Sequence, residues 1–274
     1  MEKAESELRE ATSRSVELYN SGDLLGAIAV WDAVVQADPT NADAVFAKAS
    51  FQLLVPEMQS GALEGFSTSI KLQPDNANLA ISAGSKCEQA GLLDAAVKLY
   101  GIGIDANPTD ANGYYCRGLA YSNAGFPQLS ADDFSSAIKI NGFDGFAYLR
   151  RAVSNSEMGK MEEAFSDMAS ATQFRASFAE QHQISRLLIE THLAFSIRFA
   201  DRNLEMALSA IEVVLPNAND DDIVVIFKLL SDHIDTARSR TLAIEVLNQI
   251  DKYSEETKTV IVSLATKAGL ENTG

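Results

Sequence analysis

Three histidines, His182, His192 and His233, and two cysteines, Cys87 and Cys116, are the residues of this chain best suited to acid–base, nucleophilic or metal chemistry. Their spacing supports none of it. His182 and His192 are ten residues apart, about 80° off a common face if the segment is helical. Neither cysteine sits in a C-x-x-C pair or near a histidine at metal-ligand spacing, so both read as small buried side chains. Asp220-Asp221-Asp222 offers carboxylates for a cation, but the spacing and glycine of a calcium loop are missing. An acidic first turn ahead of Ile223-Val224-Val225 accounts for it more simply, and Asp132-Asp133 and Glu162-Glu163 take the same reading. Gly101-Ile102-Gly103 precedes no phosphate-binding helix start and is read as a close-packing position. No catalytic residue, metal ligand or cofactor is expected, and the chain is read as a non-enzyme.

Bulk properties narrow the partner class. The 274 residues carry a net charge of −16, and residues 1–140 hold 9 Lys/Arg against 18 Asp/Glu. Such a distribution leaves no basic face for a phosphate backbone, so nucleic acid is not expected. Hydrophobic content of 46% suffices for a packed core. No apolar run approaches the roughly 18 residues of a membrane span, and the charged opening MEKAESELREATSRS does not resemble a secretory signal. A cytoplasmic protein without membrane insertion is the expectation.

The elements that would have to position any site announce themselves by a beat. Gly91, Gly125 and Gly159 are 34 residues apart, Gly22 lies 69 before the first, and Pro39, Pro74 and Pro108 follow at 35 and 34. A period near 34 marks stacked pairs of antiparallel helices. In residues 77–110, one helix is predicted from about Asn78 to Ala90, a turn at Gly91, and a second helix to about Ala106 before Pro108. Small residues recur in the first helices at Ser15, Ser50, Gly84, Gly118 and Ala152. They recur in the second helices at Ala27, Ala62, Ala96, Ser130 and Ala164. Four residues later comes a bulky plug: Trp31, Phe66, Tyr100, Phe134 and Met168. Asn41, Asn76 and Asp110, two residues after each proline, are placed to cap the next helix.

Together these positions resemble the tetratricopeptide repeat over residues 8–178, as five copies (8–41, 43–76, 77–110, 111–144 and 145–178). The resemblance implies an all-α, right-handed superhelical solenoid of antiparallel helix pairs. The second copy departs from the pattern, with Val55-Pro56-Glu57 in place of the turn glycine, so its first helix should end early. Beyond 178 the pattern degrades. A helix is expected over 183–199, and residues 179–257 read as two degenerate helix pairs carrying Ala207/Ile211, Phe227/Ser231/Ile234 and Ala243/Leu247/Ile250. A capping helix is expected at 254–269, from Ser254 through Lys267 to Gly269.

The resemblance also implies where a partner would bind, because first helices line the concave face of such arrays. Carried onto this chain, the candidate groove comprises Tyr19, Phe51, Leu54, Asn112, Tyr115, Leu119, Asn123, Phe146, Leu149 and Val153. Thr12, Val16, Ala47, Ile81, Ser85, Glu88, Ser122 and Ser156 fall on the same face. The Lys/Asn/Arg clamp of the subgroup that binds acidic chaperone tails is absent: its places hold Thr12 and Val16, Lys48, then Asn78 and Ser82. A groove of apolar, tyrosine and asparagine side chains suits an extended peptide or amphipathic helix of a protein partner. Phe51, Leu54, Leu119 and Val153 could instead pack against neighbouring copies or a C-terminal helix. Three alternatives stand beside a scaffold: an RNA reader, which the charge opposes; a recruiting subunit of an enzyme complex; and a homodimer joined through the apolar run Ile223–Phe227.

Overall fold

A computed structural model describes residues 2–142, 144–174, 193, 196–197, 200 and 204–270. Among them no strand occurs, and the chain is an all-α solenoid of helix pairs. It divides into two compact units, residues 1–154 and 155–274. The expected helix over 183–199, with His182 and His192, lies outside the described residues apart from Leu193, Ser196 and Ile197.

In the first unit α1 (Glu2–Asn20) pairs with α2 (Leu24–Ala37), and α3 (Ala42–Gln52) with α4 (Gln59–Leu72). Next come α5 (Ala77–Gln89) with α6 (Leu93–Ala106), α7 (Ala111–Asn123) with α8 (Pro127–Ile140), and then α9 (Gly145–Glu157), within which the unit ends at Ser154. The turn glycines are required by backbone geometry. Gly91 has φ +76°, Leu92 N–H donates to Cys87 O at 2.8 Å, and Gly91 N–H donates to Glu88 O at 2.9 Å. That double bond closes the end of α5 and needs a left-handed residue, which any side chain would strain. Gly22, Gly125 and Gly159 repeat it with φ of +85°, +78° and +77°.

Helix starts are equally local. Asn41, Asn76 and Asp110 accept hydrogen bonds from Ala44, Leu79 and Asn112 N–H groups at 3.0, 3.3 and 2.9 Å. Asp144 does the same for Phe146 without a preceding proline. The second copy ends its first helix at Gln52 and inserts a short 3-10 turn at Pro56–Met58 before α4, where a proline cannot continue the helix.

The small-and-plug pairs form the core. A Cβ on Gly84 would lie 2.7 Å from the Tyr100 ring, and one on Gly118 would lie 3.0 Å from Phe134. Phe66, Tyr100 and Phe134 are the large rings that fill these gaps, all fully buried. Of the Gly101/Gly103 pair only Gly103 is needed, because its Cβ would meet Ile81 at 2.7 Å while Gly101 meets nothing closer than 3.6 Å.

In the second unit, α10 (Met161–Phe174) carries Glu162 and Glu163 in its first turn. The next helices with described bounds are α11 (Leu204–Val214), α12 (Asp220–Asp232), α13 (Ala237–Asn248) and α14 (Glu255–Lys267). Ala207, Ile211, Phe227, Ala243 and Leu247 are buried in one core. Ile234 and Ile250 pack against it from outside the helices, because α12 stops at Asp232 and a 3-10 turn holds Ile250. Ser254 caps α14, and Gly269 (φ +68°) closes it.

The aspartate triplet is structural. Asp222 and Asn219 form a reciprocal capping box on α12. Asp220 reaches out of α12 to accept from Ser254 N–H and Thr257 Oγ1, each at 3.1 Å. These bonds hold the Asp220 carboxyl below its ordinary range, so it stabilises the fold above the unfolded pKa of about 3.9. The contribution is lost as pH falls through the lowered folded value. Asp220→Asn is therefore expected to speed amide exchange in α14 at pH 7, with the difference from the parent shrinking as pH falls through the lowered folded pKa. Equal exchange in parent and variant at pH 7 would remove the role.

Candidate functional site

First helices of successive pairs touch in the first unit, α3 with α5 and α5 with α7, so they present a continuous face. The solenoid period turns every fourth residue or so of each first helix onto that face. Val16 and Tyr19 of α1 and Leu54, in the turn after α3, are exposed large side chains; Tyr19 and Leu54 are each 48% exposed. Phe51 is half-buried and meets the Tyr19 ring at 6.1 Å, tilted by 56°. Asn112 and Asn123 are exposed, and Leu119, Phe146 and Val153 are half-buried.

Two sequence expectations are corrected here. Leu149 is only 2% exposed and Ile81 is buried, so neither is open to a partner. Ile81 is taken up by the close approach of Gly103, whose missing Cβ leaves room for it. Tyr115 is a mixed case: its ring packs edge-on against Phe134 at 5.6 Å. Burial pushes its phenol up, while Arg150 beside it pulls the other way. Substituting Tyr115 would therefore disturb a core plug as well as the face.

A polar network that spacing did not reveal crosses from one pair to the next. The Glu88 carboxylate accepts from Tyr100 Oη at 2.8 Å and from Asn123 Nδ2 at 2.9 Å. Tyr100 is thus both core plug and hydroxyl donor, and its phenol is pushed up by burial and by Glu88. Only the fold brings together residues 35 apart in this way. Asp133 is a further correction. It lies in the middle of α8, not in a first turn, and is buried. Arg117 donates to it through Nε and Nη2, both at 2.8 Å. Lys48 pairs with Asp32 across α2 and α3. Cys87 is buried as expected, while Cys116 is only half-buried and its thiol lies 3.6 Å from Asn112 Oδ1. Burial raises both thiols to about 11, which leaves little thiolate at neutral pH.

Among the described residues no cluster of three or more His, Cys, Asp or Glu could hold a metal, and no helix is long and apolar enough to cross a membrane. Ile223, Ile226 and Phe227 of the apolar run are fully buried within their own unit, and Val224 and Val225 are half-buried.

No family model and no curated sequence matches the chain. Solved structures do. A tetratricopeptide repeat protein from Parabacteroides merdae ATCC 43184 is 17% identical, with a TM-score of 0.52, over 95% of this chain and 99% of its own. The crystal structure of MamA protein is 20% identical, with a TM-score of 0.50, over 66% of this chain and 97% of its own. At these identities the likeness shows the fold: the helix pairs of this chain are of the tetratricopeptide-repeat type.

Proposed function

We propose that the chain is a non-enzymatic, cytoplasmic protein-interaction scaffold that holds a peptide or helix of a partner protein against its first-helix face. The observation that carries this reading is the exposed Tyr19 ring set against the half-buried Phe51, together with the exposed side chains of Val16 and Leu54. A chain with buried cores in both units gains nothing in stability by leaving large apolar side chains in water, whereas a desolvated aromatic anchor is what binding energy concentrates on. Glu88, Asn112 and Asn123 supply polar groups to fix a backbone alongside. The residues 8–178 are proposed to form five repeats, 179–257 two degenerate ones, and 254–269 the cap. Of the apolar run that suggested a homodimer through the C-terminal helices, Ile223, Ile226 and Phe227 are buried in the core of their own unit.

Affinity capture from the native host, with parent, Tyr19→Ser and Leu54→Ser compared by quantitative mass spectrometry, tests the assignment. Both variants are expected to keep the parental melt and to lose a common protein by roughly tenfold or more. An unchanged captured set in both would move the site off this face.

A further inference from the structure

Tyr19, Leu54 and Glu88 hold the same place in three successive pairs, each four residues after the small residue of its first helix, Ser15, Ser50 and Gly84. The repeat therefore sets an exposed ring, an exposed leucine and then a carboxylate at matching positions. Glu88 breaks the apolar run, and its neighbours hold it in place. It is half-buried, and each of its oxygens takes one hydrogen bond, Oε2 from Tyr100 at 2.8 Å and Oε1 from Asn123 at 2.9 Å. Tyr100 comes from α6 of the same pair and Asn123 from α7 of the next. Two helices besides its own thus fix the direction of the carboxylate.

What this carboxylate lacks is a cation. Asp32 and Asp133, which also bridge helices of this unit, are each paired with a cation sixteen residues away, Lys48 and Arg117. Both donors to Glu88 are neutral, and among the described residues no Lys or Arg pairs with it. Its charge is felt nearby: burial raises the Cys116 thiol most, and Glu88 and Asp110 push it the same way. Neutral donors orient a carboxylate without cancelling its charge, and two hydrogen bonds leave about half of its roughly four acceptor sites unused. Partial burial lowers the local dielectric. An ammonium or guanidinium brought there makes a stronger contact than at an exposed carboxylate.

We infer that Glu88 is the specificity-determining contact of the first-helix face: the partner segment sets a lysine or arginine on it, with apolar side chains against Tyr19 and Leu54. The inference rests on the proposed first-helix reading and adds to it the chemistry of the partner. Net charge agrees, since a chain at −16 attracts a basic segment of another protein and repels a second copy of itself. The fixed carboxylate turns that diffuse attraction into a defined contact.

The test is selection from a random dodecapeptide library on phage against the full chain, followed by anisotropy with the strongest peptide, fluorescein-labelled. Selected peptides are expected to carry Lys or Arg together with apolar residues. Binding should fall roughly tenfold or more in Glu88→Gln. It should stay unchanged in Glu64→Gln, which removes an equal charge from an exposed position of α4. Replacing the basic residue of the peptide by norleucine should cost the parent as much as Glu88→Gln does, and cost Glu88→Gln little further. The norleucine comparison on the parent needs no variant chain, so it decides the matter even where Glu88→Gln melts early. Full binding of the norleucine peptide, equal loss in Glu88→Gln and Glu64→Gln, selected peptides without basic residues, or no saturable binding would each overturn the inference. Binding that Tyr19→Ser abolishes and Glu88→Gln leaves intact would overturn it and keep the first-helix reading. Binding indifferent to both substitutions would sink the two together.

Discussion

Phe134→Ala is expected to destabilise the first unit by about 3–5 kcal/mol, read as a fall in the urea midpoint followed by circular dichroism. Phe134 is fully buried, its ring lies against the bare face of Gly118, and Tyr115 meets its edge at 5.6 Å. Alanine would leave a ring-sized void between α7 and α8 that neither helix can close. Gly118 has no side chain to move in, and the caps and turn at either end fix the pair. The loss is a large share of the roughly 5–15 kcal/mol that holds a typical domain together. Phe126→Ala, eight residues earlier, is the matched control. With that ring 55% exposed, it should shift stability by no more than about 0.5 kcal/mol. Equal effects at the two positions would mean that burial between the helices is not what the plug contributes.

Asp133→Ala is the second large effect, expected at about 2–3 kcal/mol. The Arg117–Asp133 pair is bidentate, and the aspartate side chain is only 7% exposed. Removing the carboxylate strands a guanidinium that α8 holds away from most water. A fully buried partner left alone costs about 3–5 kcal/mol. Arg117 retains 24% exposure and sits 6.0 Å over the Tyr121 ring, which places the loss below that range. The mechanism predicts non-additivity: once Arg117 is methionine, the same Asp133→Ala change should cost much less. A double-mutant cycle in urea that closes with no coupling would show the pair to be incidental.

Much of the fold was legible because its determinants are local. Gly91 at the end of α5, Asn76 ahead of it and Pro108 after α6 each act within a few residues, through φ, a cap or a missing N–H. The plug pairs were also legible, since Ala96 and Tyr100 share a helix face four residues apart. The site was less so. A position on the expected groove face is defined by the repeat, but whether it is open depends on what the next pair places against it. Tyr19 is left open, while Leu149 is covered. Asp133 reads in the sequence as part of an acidic first turn, because paired aspartates favour helix starts. Its partner Arg117 is sixteen residues away, and only the packing of α7 on α8 identifies it.

By itself the sequence determined the helix pairs, their turns and caps, and the repeat that stacks them, because each rests on contacts within one period. It also determined the acidic character that sets which partners are repelled. The tertiary structure decided which side chains remain in water. Exposure is a property of neighbours 16 to 35 residues apart, as in Arg117–Asp133 and Glu88–Asn123. No local preference encodes how closely two pairs of helices approach.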